Sequence, residues 1–268
     1  MQSTIRQARK YFRFPTGEAH CRLDGSDDLL FVPMMENLND YLMTVLLACE
    51  TNERVRDGKP FDLLLPYLPY SRQDRPTSRN EPFSLKVVGK LLNAAPCRHI
   101  YTLDVHSDVS YACVDRLINI PPEQVWHDLL LKNADNTLVI PDMGAYKKLS
   151  KLTNKFKNHV IGLKQRDIAT GHLKIADIVG DVKEQHCVIF DDICDGGGTF
   201  VLLAKELYQR GASAVELAVI HGVFTKGKDV LFEAGIKNIY TTNSFPHEEQ
   251  PKVHVTDVLD IYRRHSKA

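Results

Sequence analysis

Short apolar runs alternate along the chain with stretches whose apolar residues recur every three to four positions. Residues 61–66 (FDLLLP), 100–105 (IYTLDV), 137–141 (TLVIP), 160–163 (VIGL), 187–190 (CVIF), 215–220 (VELAVI) and 239–242 (IYTT) predict strands. Nearly unbroken apolar runs suit strands covered on both faces. Between them, Leu38, Leu42, Val45, Leu46 and Cys49 fall at helical spacing, as do Phe83, Val87, Leu91 and Leu92. Tyr146, Leu149, Leu152 and Phe156 repeat the pattern, and so do Phe200, Leu203, Ala204 and Leu207. A period near 3.6 marks one face of a helix. The alternation predicts an α/β fold of mostly parallel sheets flanked by helices. Two prolines at 120–122 (IPP) interrupt it, and it restarts after Trp126. Two similar domains are expected, 1–121 and 122–254, with a closing helix in 255–268 packed back on the first.

Several predicted strands end in a residue able to do chemistry. His106 follows one, Asp142 another, and Asp191 and Asp192 a third. Open α/β sheets bind ligands at the carboxyl ends of their strands, so these positions point to a crevice. Taken singly, each also suits an ordinary structural role.

Bulk charge narrows the partners. Lys plus Arg and Asp plus Glu both number 34 in 268 residues, so the formal net charge is zero. No basic stripe or aromatic platform suggests nucleic acid. No apolar run of about 18 residues suggests a membrane span. The amino terminus, MQSTIRQARKYFRF, lacks the apolar centre of a secretion signal. The six cysteines form no CxxC pair and fit neither a zinc ribbon nor a disulfide scaffold. The expectation is a reduced, soluble, cytoplasmic protein.

The stretch 188–200, VIFDDICDGGGTF, sets acids beside glycines. A strand, a glycine-rich turn and a helix make an anion-binding device, because bare backbone N–H groups and the helix amino end face the ligand. Gly196, Gly197, Gly198 and Thr199 are expected to form the turn, with the helix at 200–210. It is no Walker loop, since no Lys-Ser or Lys-Thr follows, and Val201 breaks GxGxxG. Adjacent carboxylates would repel a phosphate laid on them but accept hydrogen bonds from a diol. A ligand carrying both, such as ribose 5-phosphate, reconciles Asp191, Asp192 and Asp195 with the glycines. The ordinary alternative is a glycine-rich turn with helix-capping acids.

VIFDDICDGGGT resembles the phosphoribosyl-diphosphate-binding loop of the phosphoribosyltransferase superfamily. Other segments resemble ribose-phosphate diphosphokinases (PRPP synthetases): YFRFPTGEAHCRL, PYLPYSRQDRP, EPFSLKVVGKLLNAA, LDVHS, VIPDMGAYKKLSKL and IHGVFTKG, in that order. The resemblance implies a type I phosphoribosyltransferase-like fold and transfer of the diphosphoryl group of Mg-ATP to ribose 5-phosphate. It implies that Phe14, Glu18, Arg72, Gln73, Asp74, Arg75 and His106 bind ATP, and that His106 and Asp142 help hold Mg²⁺. Asp191, Asp192, Asp195, Gly196, Gly197, Gly198 and Thr199 would bind ribose 5-phosphate. Lys164 and Arg166, in LKQRDIATGHLKIADIVG, would open a mobile catalytic loop. A homo-oligomer, dimer or hexamer, is implied, with Phe14 and Glu18 reaching a neighbouring subunit.

Departures accompany the match. Family members usually carry a further strand and helix ahead of the Phe-x-x-Gly-Glu segment, so a shortened variant is expected. Thr16 and Thr77 stand at or near positions usually acidic, which bears on nucleotide selectivity, and Gly196 stands where Thr is usual. A phosphoribosyltransferase that consumes the diphosphate, or a non-catalytic regulatory subunit, are the competing expectations.

Overall fold

In a computed structural model, residues 10–166, 173–248 and 250–267 are described, with backbone alone at 164–166, 173, 174 and 176. The chain divides into two compact units, Met1–Ile120 and Pro121–Ala268.

The first unit opens with a hairpin, β1 (Lys10–Arg13) and β2 (Ala19–Arg22), paired antiparallel. There follow β3 (Leu29–Phe31), α1 (Leu38–Val55), β4 (Asp62–Leu64), α2 (Ser84–Asn93), β5 (Ile100–Leu103), α3 (Val109–Cys113) and β6 (Leu117–Ile120). Strands β3 to β6 form a parallel sheet in sequence order. Asn37 starts α1, its side chain accepting from the backbone N–H groups of Asn39 and Asp40. Leu42, Val45 and Cys49 are buried along it, as their spacing predicts, joined by Tyr41 and Ala48.

Helix α2 departs from its expected face. Leu85, Val88, Gly89 and Leu92 are buried, whereas Val87 and Leu91 are 55% and 44% exposed. Glycine decides this rotation: a Cβ on Gly89 would sit 2.2 Å from the Cys113 carbonyl oxygen, so only a bare backbone lets α2 approach the end of α3. The strands β3 and β6 were not expected.

The second unit contains α4 (Pro122–Val125), α5 (His127–Lys132), β7 (Thr137–Ile140), α6 (Met143–Thr153), β8 (Asn158–Arg166) and β9 (Leu173–Val179). It continues with β10 (His186–Cys194), α7 (Gly198–Gln209), β11 (Ala214–Gly222), α8 (Asp229–Glu233), β12 (Ile236–Thr242), β13 (Val253–Thr256) and α9 (Val258–His265). The sheet order is β13-β12-β11-β10-β7-β8-β9, parallel except for β8 against β9. From β7 the chain moves outward to β8 and β9, then returns to the other side of β7 as β10 and proceeds to β13. The order reverses between β7 and β10, which is where such sheets open a ligand crevice. Phe200, Leu203, Ala204 and Leu207 are buried on α7 against a core that includes Val139, Ile189, Leu217 and Ile239.

The terminal helix, α9, groups with the second unit, where His265 Nδ1 meets Gln124 and Arg264 Nη1 lies 3.4 Å from Asp128. Its apolar side, Val258, Leu259, Ile261 and Tyr262, is buried there. The expected strand at 160–163 is also longer. Lys164 and Arg166 lie inside β8, paired with Ile175 and Leu173, because β9 supplies a backbone ladder to them. Cys187 is buried, and burial pushes its thiol up to about 11, so it stays protonated and unreactive.

Candidate active site

In the first unit, the candidate residues gather at the carboxyl ends of neighbouring strands. Leu63 of β4 pairs with Ile100 of β5, so the loops that follow the two strands emerge side by side. After β4 the chain stays buried through Pro69, then exposes Arg72, Gln73 and Arg75. Gln73 is tied by its backbone, its N–H donating to Tyr70 (3.0 Å) and its carbonyl accepting from Leu85 (3.3 Å). Asp74 accepts from Arg75 Nε (3.0 Å) and Nη2 (3.1 Å). That pairing, followed by a hydrogen bond from Ser107 and the nearby charge of His106, holds the Asp74 carboxyl below its usual range. Asp74 therefore links the Arg-Gln-Asp loop to the His106 loop. A planar guanidinium kept charged and oriented in this way suits phosphate oxygens.

Phe14 and Glu18 bracket the β1–β2 turn. Phe14 N–H donates to the Glu18 carbonyl at 2.9 Å, and Gly17 N–H to the Phe14 carbonyl at 2.8 Å. Gly17 takes a φ of +94°, which only a residue without a Cβ adopts at low cost. The Phe14 ring is 45% exposed and packs edge-on to Phe12. Thr16 donates its hydroxyl hydrogen bond to Glu18. An exposed ring beside a carboxylate is available to a purine-sized ligand.

In the second unit, the acids cluster at the switch point. The expected strand end at Phe190 is corrected here: β10 runs on through Asp191 and Asp192 to Cys194, because β11 continues to pair with it (Asp191 with Val219, Cys194 with Gly222). Asp192 is buried and receives Lys148 Nζ of α6 at 3.2 Å. Asp191 accepts the Asp192 N–H at 2.9 Å. Burial above all, then the charges of Asp192 and Asp142, push Asp191 well above the usual carboxylate range, against the opposing pull of that N–H and of Lys148. Asp142 starts α6, its Oδ1 accepting from Ala145 N–H at 2.9 Å.

The glycine turn is shorter than expected. Gly197 is the residue before α7, with φ +74°, and Gly198 and Thr199 already form the first turn of the helix. A left-handed residue just ahead of a helix directs consecutive N–H groups toward one point, the geometry of an anion nest. A Cβ on Gly197 would lie 3.1 Å from Leu231 Cδ2, whereas one on Gly198 would meet nothing within 4 Å. Gly197→Ala is therefore expected to cost about 1–2 kcal/mol of stability through backbone strain. Gly198→Ala is expected to stay near wild type, and thermal melts of the two variants check the contrast.

The Asp191 shift predicts a pH effect whose sign follows from linkage. A carboxyl raised in the folded state favours folding at low pH and opposes it as pH rises through the folded value. Asp191→Asn should thus melt above wild type at neutral pH, with the gap closing in acid. Its sugar affinity should fall over the same pH range, because an amide is a weaker acceptor of hydroxyl hydrogen bonds than a carboxylate.

Lys148 and Thr225 carry roles that the sequence did not disclose. Lys148 sits in a helix rich in lysines, and Thr225 donates to Asp195 Oδ1 at 2.8 Å from a loop thirty residues on. Lys164 and Arg166 are placed by backbone alone, and 167–172 of the expected loop lie outside the described residues. Among the described residues, no three His, Cys, Asp or Glu side chains gather as metal ligands. No helix among them is long and apolar enough to cross a membrane.

Comparison with known proteins agrees with these features. Residues 6–95 match the family described as the N-terminal domain of ribose phosphate pyrophosphokinase, and residues 167–263 match the phosphoribosyl synthetase-associated domain. A ribose-phosphate pyrophosphokinase of Mycoplasma genitalium is 28% identical over 263 residues, covering 92% of this chain and 78% of that protein. One from Thermotoga maritima is 26% identical over 265 residues, covering 93% and 82%. The crystal structure of phosphoribosylpyrophosphate synthetase from Mycobacterium smegmatis superposes with a TM-score of 0.77 at 25% identity, covering 98% of this chain and 91% of that one. With both halves matched and the fold shared along nearly the whole chain, this protein belongs to the ribose-phosphate pyrophosphokinase family.

Proposed function

We propose that the chain transfers the diphosphoryl group of ATP to the 1-hydroxyl of ribose 5-phosphate, giving 5-phosphoribosyl 1-diphosphate and AMP. The observation that carries this reading is the run from β10 into α7. It sets a paired carboxylate and a glycine nest in sequence on one strand and one helix start, where a sugar diol and its phosphate would lie next to each other.

The hydroxyl oxygen attacks the β-phosphorus, the bond from that phosphorus to the α–β bridging oxygen breaks, and AMP leaves with that oxygen. The hydroxyl proton passes to solvent. Little covalent work falls to the protein, which aligns the reactants and stabilises charge. Asp191 and Asp192 accept hydrogen bonds from the ribose hydroxyls. The N–H groups of Gly197, Gly198 and Thr199 hold the 5-phosphate, with Gly196 leaving the backbone open and Asp195 fixing the turn through Thr225. Arg72, Gln73 and Arg75 bind ATP phosphates, Asp74 orients Arg75, and Phe14 and Glu18 receive the adenine. Lys164 and Arg166 neutralise charge that develops during transfer.

A divalent cation, Mg²⁺ in our reading, would neutralise the ATP phosphates when bound. His106 and Asp142 are its proposed protein contacts, directly or through water. A sparse protein ligand set fits such an ion, which keeps several waters and takes substrate phosphates as ligands. The active species is proposed to be a homo-oligomer in the cytoplasm, in which Phe14 and Glu18 serve a neighbouring copy.

Incubation with ribose 5-phosphate, Mg²⁺ and ATP, followed by phosphorus NMR, tests the reaction. AMP and phosphoribosyl diphosphate are expected in equal amounts. Folded protein that yields no AMP, or yields ADP, would overturn it.

A further inference from the structure

The turn after β11 is fastened to the two residues just ahead of the glycines by four hydrogen bonds. Val223 N–H and Phe224 N–H donate to the Cys194 carbonyl at 2.8 and 3.0 Å, and Thr225 N–H donates to the Asp195 carbonyl at 3.1 Å. Thr225 Oγ1 completes the set on Asp195 Oδ1 at 2.8 Å. The turn then closes on itself, with Phe224 at φ +50°, Gly227 at φ +75° and Gly227 N–H on the Phe224 carbonyl at 2.8 Å. The residue carried at its tip is Lys226.

The stem of Lys226 lies over Gly196. A Cβ on Gly196 would meet Lys226 Cδ and Cε, each at 3.5 Å. Gly196 is not among the positive-φ residues, so its backbone does not demand glycine. At that distance a Cβ would make ordinary van der Waals contact with the stem, so the lysine passes close beside the start of the nest whether or not residue 196 carries a side chain. Among the described residues, no hydrogen bond or ion pair engages the Lys226 ammonium. The next lysine differs, since Lys228 Nζ sits 5.7 Å over the Phe224 ring.

The charge balance of the nest gives Lys226 a purpose. Asp195 fixes the turn, but its carboxylate sits one residue from the glycines and would repel a phosphate held there. A cation on a side chain passing beside Gly196 offsets that repulsion and adds a charge-assisted hydrogen bond. We infer that Lys226 is a further binding residue for the phosphate group of the sugar substrate, acting from beside Gly196. This rests on the proposal that the nest holds the 5-phosphate of ribose 5-phosphate.

Calorimetric titration of ribose 5-phosphate into the full chain tests it, using wild type, Lys226→Ala, Lys226→Gln and Lys226→Arg. Because the side chain is exposed, all four proteins should share a melting temperature. Ala and Gln are expected to weaken ribose 5-phosphate binding about tenfold at low salt, with Arg restoring most of it. The gap should narrow as salt rises, and Mg-ATP titrated alone should bind all four alike. If Ala binds ribose 5-phosphate as wild type does while wild type turns it over, the inference fails and the proposed function stands. If wild type does not bind ribose 5-phosphate at all, both fail together.

Discussion

Lys164→Ala is expected to lower kcat by about a hundredfold to a thousandfold, the scale on which preorganised positive groups act in phosphoryl transfer. The argument begins in the backbone. Leu163 pairs with Asp177 and Lys164 with Ile175, so Ala176 of β9 is an extra residue opposite that step. Such a bulge bends the ladder, and bulges concentrate next to active sites. A cation that acts on charge developing at the transferred group affects kcat more than substrate affinity. Ribose 5-phosphate binding, measured by calorimetry, should therefore stay close to wild type, and Lys164→Arg should recover part of the rate. Full turnover by the alanine variant would remove Lys164 from the catalytic step.

Much of this arrangement can be read from residue order, for reasons that differ from place to place. The face of α7 was legible because all four of its spaced apolar residues meet one core. The acids and glycines of β10 and α7 were legible because both halves of the device are contiguous in the chain. Edge strands β9 and β13 were not, since each finds a pairing partner on one side only. The extent of β10 was missed for a related reason: backbone pairing with β11, not side-chain type, keeps Asp191 and Asp192 in the strand. On α2, two overlapping helical stripes compete, and only the contact of Gly89 with Cys113 chooses between them. Lys148 and Lys226 look like solvated lysines until the fold brings each to its neighbour. Tertiary proximity, not local pattern, gives them meaning.

The second large effect is expected at Asp192. Replacing it with alanine should weaken ribose 5-phosphate binding about a hundredfold, because hydroxyl hydrogen bonds to a buried carboxylate contribute about 1.5–3 kcal/mol each. The same change leaves Lys148, whose side chain is 25% exposed, without the carboxylate it now meets at 3.2 Å. Removing Asp192 withdraws one contact of this largely buried ion pair, so Asp192→Ala should also lower the melting temperature. Lys148→Met tests the reverse. It keeps the volume of the stem but removes the charge that opposes the rise of the Asp191 pKa. Asp191 should then lose its proton at still higher pH, and the acid side of the binding profile should move upward. In a double-mutant cycle, Asp192→Asn and Lys148→Met should be clearly non-additive, since each removes the same contact. Additive losses would mean that Lys148 acts on the sugar site independently of Asp192. A pair that couples in sugar affinity but not in Mg-ATP affinity would fix its role as holding the diol-binding carboxylate ionised and in place.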